Sequence, residues 1–351
     1  MTELDHFRQQ ILGAANAGGT LRIRGGGTKD WYGQAFGGDV LDTRAFSGIV
    51  DYEPTELVIT ARCGTPLAEI EAALGERNQM LAFEPPHFGP SATFGGAIAS
   101  GLSGPRRASS GAVRDFVLGV MLMDGRGEVL TFGGQVMKNV AGYDVSRLLA
   151  GSLGTLGLML QMSVKVLPRP LCESTLRFAI SEIDALSRLN EWGGLPLPIS
   201  ASCWADGVLT LRLSGAEAAV TAAERSLGGE SVADGAAFWR ALREQQHEFF
   251  TREGSLWRLS LPSAASAILL RGEQLIEWGG AQRWLKAGSD PATAQGIRRS
   301  VSAAGGHATL FKGGDKAVGV FQPLAPAVAK IHTRLKASFD PSHVFNPGRM
   351  Y

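Results

Sequence analysis

Cysteine is scarce in this chain: Cys63, Cys172 and Cys203 are the only three among 351 residues, and they stand far apart with no C-x-x-C. That excludes a disulfide framework and gives no spacing for an iron–sulfur or zinc site, and it fits a reduced compartment. An excess of one charge is also missing, with 34 basic against 33 acidic residues and a net charge of +1. No Lys/Arg stripe stands out, so nucleic acid is not an expected partner. Long apolar runs are absent too. The uncharged stretch richest in large apolar residues, Leu148 to Val164, is broken by Gly151, Gly154 and Gly157 and by polar residues. It is too short and too glycine-rich for a membrane span and reads as helix end, loop and buried strand. The opening MTELDHFRQQ is polar and charged and predicts no signal peptide. Repeats and low-complexity tracts are not found.

What is abundant is glycine, at 46 residues. With 44% hydrophobic and 19% charged residues the composition is globular, and the length accommodates two domains. The glycines concentrate in three segments of the first half: RGGGT (Arg24 to Thr28), PSATFGGAIASGLSGPRR (Pro90 to Arg107) and GSLGTLG (Gly151 to Gly157). The first follows a strand-like run, Leu21-Arg22-Ile23-Arg24. Glycines permit close backbone approach, and successive N–H groups in such a turn form an anion cradle. A plain structural bend fits the same residues. None of the three is a Rossmann G-x-G-x-x-G or a Walker A loop. Two glycine-rich loops approaching one elongated ligand suit a dinucleotide.

Leu4, Phe7 and Ile11 recur at helical spacing before Gly18-Gly19. Strands are expected at 49–52 and 57–60. A helix opens at Thr65-Pro66, with Thr65 as N-cap, buries Leu67, Ile70 and Leu74, and stops at Gly75. The stretch Glu84 to Gly111 is too long for a simple connection. A hairpin flanks Asp124-Gly125-Arg126-Gly127, Tyr143 to Ala150 looks helical, and a strand over 156–166 ends at Pro168 and Pro170, the first domain boundary. Beyond it, strands at 175–180, 200–213 (with a hairpin at Asp206-Gly207), 257–261, 284–286 and 307–312 alternate with helices at 183–192, 216–227, 236–250, 264–270 and 292–304. This is an α+β domain with a mostly antiparallel sheet. A helix over 326–338 presents Val328, Ile331 and Leu335 on one face before a final NPGRM loop.

RGGGT, TFGGAIASGLSG, SSGAVRDFVLGVMLMDGRGEVL, KNVAGYDVSRLLAGSLGTLGL, VLPRP and FDPSHVFNPGRM occur in this order. Together they resemble the FAD-binding domain of the vanillyl-alcohol oxidase family, also called the p-cresol methylhydroxylase (PCMH) type. Within it, the whole length and the KNVAGYD segment are similar to FAD-binding subunits of bacterial glycolate oxidases. The resemblance implies a PCMH-type FAD-binding domain of two α+β subdomains (1–170), an α+β cap (171–312) and a C-terminal segment (313–351) returning to the first domain. It implies that Arg24 and the backbone of Gly25, Gly26, Gly27, Thr28 and Lys29 bind the pyrophosphate. Ser91, Thr93, Gly95 and Gly96 line the other side, and Gly101, Ser103 and Gly111 approach the flavin and ribityl region. Leu158 meets the adenine through its main chain, and Asn346 returns from the tail. The implied activity is oxidation of a 2-hydroxy acid, glycolate to glyoxylate, with electrons passed through FAD. The implied partners are a related FAD-containing catalytic subunit and an iron–sulfur subunit, and the implied location is cytoplasmic, reaching the inner membrane only peripherally through the complex. A non-catalytic assembly subunit and a stand-alone flavin alcohol oxidase remain alternatives.

Two departures matter. The family's GSEGTLG is GSLGTLG here, with Leu153 in place of the acid. The H-x-H pair and histidine-rich GDGN segment of catalytic relatives are also missing. The nearest string, GGHATLFKGGDK, has His307 alone, and His6, His87, His247, His332 and His343 form no ligand spacing. No metal site is expected. Thr28 and Lys29 stand where tethering relatives carry a histidine, so FAD is expected to be non-covalent. Arg258, Arg283 and Lys312 are the candidates for binding a substrate carboxylate. Trp204, Trp239, Trp257, Trp278 and Trp284 read as core or subunit contact.

Overall fold

A computed structural model describes residues 2–134 and 144–350. Tyr143 and most of KNVAGYD lie outside the described residues. The helix expected near them covers Val145–Leu148. The chain divides into two compact units: Met1–Leu102, Ala112–Pro168 and Pro323–Tyr351 form the first, and Ser103–Gly111 with Arg169–Gln322 form the second. Residues 103–111 and 313–322 thus pack with the second unit. Both units are mixed α and β with mostly antiparallel sheets.

The first unit begins with the helix Glu3–Ala17. A Thr2/Asp5 capping box closes its start and Gly18, at φ 65°, its end. Phe7 and Ile11 are buried against Leu21, Leu41, Val344 and Phe345. Each buried side chain of this size contributes about 2 kcal/mol. A five-stranded antiparallel sheet carries Ile49–Glu53, Val58–Arg62, Leu158–Lys165, Val117–Met123 and Val129–Gly133, in that spatial order. The helix Leu67–Gly75 packs on it through Leu67, Ile70 and Leu74. Its N-cap is Pro66 rather than Thr65. The Thr65 hydroxyl accepts from the Gly48 N–H at 2.9 Å and donates to the Arg62 carbonyl at 2.8 Å, so it ties loops instead of capping. Gly75 stays inside the helix, which ends at Glu76.

The helix Pro326–Phe339 departs from expectation. Val328 and Ile331 are exposed, Ile331 to 63%, and the buried residue is Lys336. Three oxygens converge there: the Thr155 carbonyl at 2.6 Å, the Phe345 carbonyl at 2.8 Å and the Asp340 carboxylate. Leu335 packs against the main core as expected, together with Phe339, and the Lys336 contacts add to them in orienting this helix.

The second unit is built on an eight-stranded antiparallel sheet. Its strands run Glu230–Ser231, Cys172–Ala179, Val208–Gly215, Ile199–Ala205, Glu273–Glu277, Gln282–Ala287, Ser255–Ser260 and His307–Lys312. The hairpin expected at Asp206-Gly207 forms, joining Ile199–Ala205 to Val208–Gly215. The helix expected over 236–250 is split into Gly235–Arg243 and Glu248–Thr251. No helix forms over 264–270. The carbonyls of Ala265 and Ser266, which a helix would use internally, instead accept from Arg283 at 2.5 and 2.9 Å. The five tryptophans named from the sequence donate their indole N–H inside this unit: to Ile180, Gly288 and Gly104 carbonyls, to the Thr175 hydroxyl and to Glu277. They act as internal anchors.

Residues 103–111 are held in the second unit by polar contacts. Trp278 donates to the Gly104 carbonyl at 3.0 Å, Ser109 donates to the Ser200 carbonyl at 3.0 Å, and Arg106 pairs with Glu173. Burial works to raise the Glu173 pKa, but the Ser214 hydroxyl and the Arg212 and Arg106 charges outweigh it and hold it below 4.5. A carboxylate with a depressed folded pKa adds stability that is complete above the unfolded value and is lost as pH falls through the folded one. Glu173→Gln is therefore expected to flatten the loss of stability below pH 4.5 and to cost about 1 kcal/mol at neutral pH, since the side chain is partly solvated. Urea melts of both proteins at pH 7 and pH 3.5 check this. Parallel acid dependence in the two would refute it.

Candidate functional site

In the first unit the strand Leu21–Arg24 pairs in parallel with Asp39–Asp42 and runs directly into Gly25-Gly26-Gly27. The second glycine-rich segment comes to meet this turn. A Cβ on Gly26 would lie 1.5 Å from the Ser91 carbonyl oxygen, and one on Gly25 would lie 2.3 Å from Thr93 Oγ1. The Ser91 hydroxyl donates to the Gly26 carbonyl at 2.8 Å. Gly25 and Gly26 are thus required by the approach of protein to protein, before any ligand is considered. Among the described residues, none accepts from the N–H of Gly25, Gly26 or Gly27. These donors are available to an anion.

Thr93 caps the helix Phe94–Ser100, its hydroxyl accepting from the Gly96 N–H. A Cβ on Gly95 would lie 2.7 Å from that of Cys63. The third segment arrives through the tail. Asn346, buried at φ 40°, donates to the Leu153 carbonyl at 2.6 Å and accepts from the Ile23 N–H at 3.0 Å. A side chain on Gly154 would strike that amide nitrogen. Strand, loops and tail thereby close around a cleft of about 710 Å³, its open mouth included.

The side chains on this cleft are mostly committed. Asp30 accepts from Arg24 Nε at 2.7 Å. Lys29 is buried and donates to the His87 carbonyl at 3.2 Å. Burial pushes the Cys63 thiol up to about 12, so it stays protonated at neutral pH. Arg349 also lines the cleft, with its guanidinium buried.

Of the residues singled out from the sequence, Arg24, Gly25, Gly26, Gly27, Thr28, Lys29, Thr93, Gly95, Gly96, Leu158 and Asn346 line this cleft. Ser91 stands behind it, bonded to Gly26. Gly101 ends the Phe94–Ser100 helix at φ 64°, and its space is taken by Gly151. Ser103 and Gly111 belong to the second unit. So do the carboxylate candidates. Arg283 is wholly buried on carbonyl oxygens and is a structural residue. Arg258 donates to Gln282 at 2.7 Å and stacks over Trp278, and Lys312 ends an edge strand. Thr43, Cys63, Gly154 and Arg349 line the cleft without having been singled out. Only Arg349 and Gly154 had a signal, being part of motifs already recognised.

The family described as FAD binding domain matches residues 8–133. Glycolate oxidase subunit GlcE of Escherichia coli K12 is 52% identical over 343 residues, spanning 98% of this chain and 96% of that one. The chain belongs to the GlcE family. Its first unit carries an FAD-binding domain, and the GlcE family lies among FAD-dependent oxidoreductases. Glycolate oxidase subunit GlcD of Bacillus subtilis is 32% identical over 43% of this chain. D-2-hydroxyglutarate dehydrogenase of Xanthomonas citri is 27% identical over 52%. The matches cover 32% and 39% of those two proteins. The fold is similar to that of alkyldihydroxyacetonephosphate synthase, at a TM-score of 0.65 and 14% identity, covering 98% of this chain and 74% of that one. No helix of the described residues is long and apolar enough to cross a membrane.

The cleft fits the cofactor this family uses. It combines glycine-walled space, unused N–H donors and buried cations, the donor set a dinucleotide diphosphate requires.

Proposed function

We propose that this chain is the FAD-binding subunit of a glycolate oxidase-type complex, oxidising glycolate to glyoxylate or handling the electrons released in that step. The observation that carries this reading is the convergence of three glycine-rich segments and the tail on one cleft with free backbone donors, in a chain 52% identical to a glycolate oxidase subunit. Gly25 to Lys29 would hold the diphosphate, with Thr93, Gly95 and Gly96 on the facing wall. Leu158 would meet the adenine, and Asn346 would fix the tail against the cofactor. Ser91, Gly101, Ser103 and Gly111 complete the proposed set. Thr28 and Lys29 offer no histidine tether, so the cofactor is non-covalent.

When bound, FAD supplies the acceptor for the hydride on the α-carbon of a 2-hydroxy acid. The chain's own residues bind and orient it and exclude water. The partners in this reading are a GlcD-like FAD-containing subunit and an iron–sulfur subunit, with the membrane touched only through the complex.

A second reading, an FAD-binding assembly subunit whose partner performs turnover, is favoured by the cleft's own side chains. Asp30 is held by Arg24, Cys63 is protonated and Lys29 is engaged with a carbonyl. None is placed as a general base.

Purified alone, the protein is expected to be yellow, with a flavin absorption band. Anaerobic glycolate or D-lactate then separates the readings. Bleaching without partners supports independent turnover, and bleaching only after GlcD-like and iron–sulfur chains are added supports the complex. A colourless protein that takes up no FAD refutes both.

A further inference from the structure

Arg349 is 8% exposed and lines the cleft. Its Nε and Nη2 donate to the carbonyls of Tyr32 and Lys29, at 3.3 and 3.2 Å, and its guanidinium stacks over Phe36 at 4.3 Å. Carbonyls satisfy hydrogen bonds but cancel no charge. The acid whose charge it feels, Asp30, is hydrogen-bonded to Arg24, and the Arg22 charge opposes it. Among the described residues no carboxylate pairs with it. Burial pulls its pKa down to about 10, a sign of a cation held where water cannot solvate it, yet still charged at neutral pH.

A buried cation without an anion is costly. This fold neutralises such a charge where it can: buried Lys336 sits against buried Asp340. Arg283 is also a buried arginine held on carbonyls, but it does not line this cleft and the Glu182 charge acts on it. Arg349 differs in place. It lines the same cleft as Gly25, Gly26 and Gly27, whose N–H groups have no acceptor among the described residues, and as buried Lys29, while the carboxylate on the cleft, Asp30, is held by Arg24. The guanidinium fork suits phosphate oxygens in a way an ammonium does not.

We propose that Arg349 is the charge partner of the FAD diphosphate, so that the C-terminal tail takes direct part in choosing a diphosphate-bearing flavin. This rests on the reading of the cleft as the FAD site. The glycine turn then supplies neutral donors, and the tail supplies the counter-charge.

The test uses the full chain, freed of flavin, with FAD, riboflavin and ADP as probes and calorimetry or fluorescence quenching as the readout. Wild type is expected to bind FAD and ADP and to favour ADP over adenosine. Arg349→Met is expected to weaken FAD and ADP by about 10- to 100-fold, the loss of charged hydrogen bonds, while leaving riboflavin unchanged. Arg349→Lys, which keeps the charge without the fork, should fall between them. Equal affinity of wild type for ADP and adenosine would overturn the proposal without any variant. So would an Arg349→Met protein that binds FAD and ADP normally, or one that loses riboflavin as strongly as FAD, since a merely structural role predicts that pattern. A wild type that binds no flavin of any kind would instead remove the reading of the cleft itself.

Discussion

A Gly26→Ala protein is expected to purify with a flavin-to-protein ratio below about a tenth of wild type, a loss of about 1.4 kcal/mol or more in affinity. It should also lose about 3 kcal/mol of stability in the first unit, the upper end for overpacking. The added methyl would lie 1.5 Å from the Ser91 carbonyl oxygen and 2.4 Å from its carbon. Both are backbone atoms, so no rotamer change relieves the clash. The Gly25–Gly27 turn and the Ser91–Thr93 loop must part, breaking the Ser91 to Gly26 hydrogen bond and opening the cleft. Gly27→Ala is the informative control. It forces a non-glycine residue to φ 73°, but its nearest neighbour is the movable Arg24 side chain. It should cost only about 1 kcal/mol. Absorbance at the flavin band and thermal melting measure both. Full flavin content in Gly26→Ala would show that the loops tolerate separation and that the turn is not the rigid wall described above.

Lys336→Met should lower the thermal midpoint by about 10 °C, the equivalent of the 3–5 kcal/mol that breaking a buried ion pair costs. The substitution strands Asp340, which is 0% exposed, with the N–H groups of Val344 and Phe345 as its remaining donors among the described residues. It also frees the Thr155 carbonyl in the third glycine-rich segment and the Phe345 carbonyl in the tail. One ammonium therefore joins the loop bearing Leu153 to the tail bearing Asn346 and Arg349, and flavin retention should fall together with stability. Pairing the change with Asp340→Asn should recover part of the loss, because the stranded charge is then gone. A double variant no better than the sum of the two singles would mean that the pair does not couple.

Part of the cleft's lining was legible in the sequence: glycine-rich composition marked Gly25 to Gly27, and the family resemblance pointed to Thr93, Gly95, Gly96 and Asn346, all of which line the cleft. Cys63 and Thr43 left no such mark. They are ordinary residues at the end of a strand and in a loop, brought to the cleft by the crossing of chain segments distant in sequence. Arg349 stood in a recognised motif, but nothing in NPGRM shows that its guanidinium is buried without an acid.

Local patterning also set most elements. The helix that buries Phe7 and Ile11, the stripe Leu67, Ile70 and Leu74, and the Asp206-Gly207 turn each appear where spacing puts them. It failed where a distant polar group decides the outcome. Arg283 takes the carbonyls of 265–266 and no helix forms there. In the helix Pro326–Phe339, Leu335 packs on the core as spacing expects, but Val328 and Ile331 face outward and the buried residue is Lys336. Trp278 and Arg106 draw 103–111 into the second unit.

The sequence by itself determined the short-range features: where the chain turns, which stretches bury a face, and which glycines permit a backbone approach. Those depend on neighbours within a few residues. Tertiary structure alone decided which buried charges find an opposite charge: Lys336 meets Asp340, and Arg349, among the described residues, hydrogen-bonds carbonyls only. Charge compensation is settled between groups far apart in the chain, and no local pattern records it.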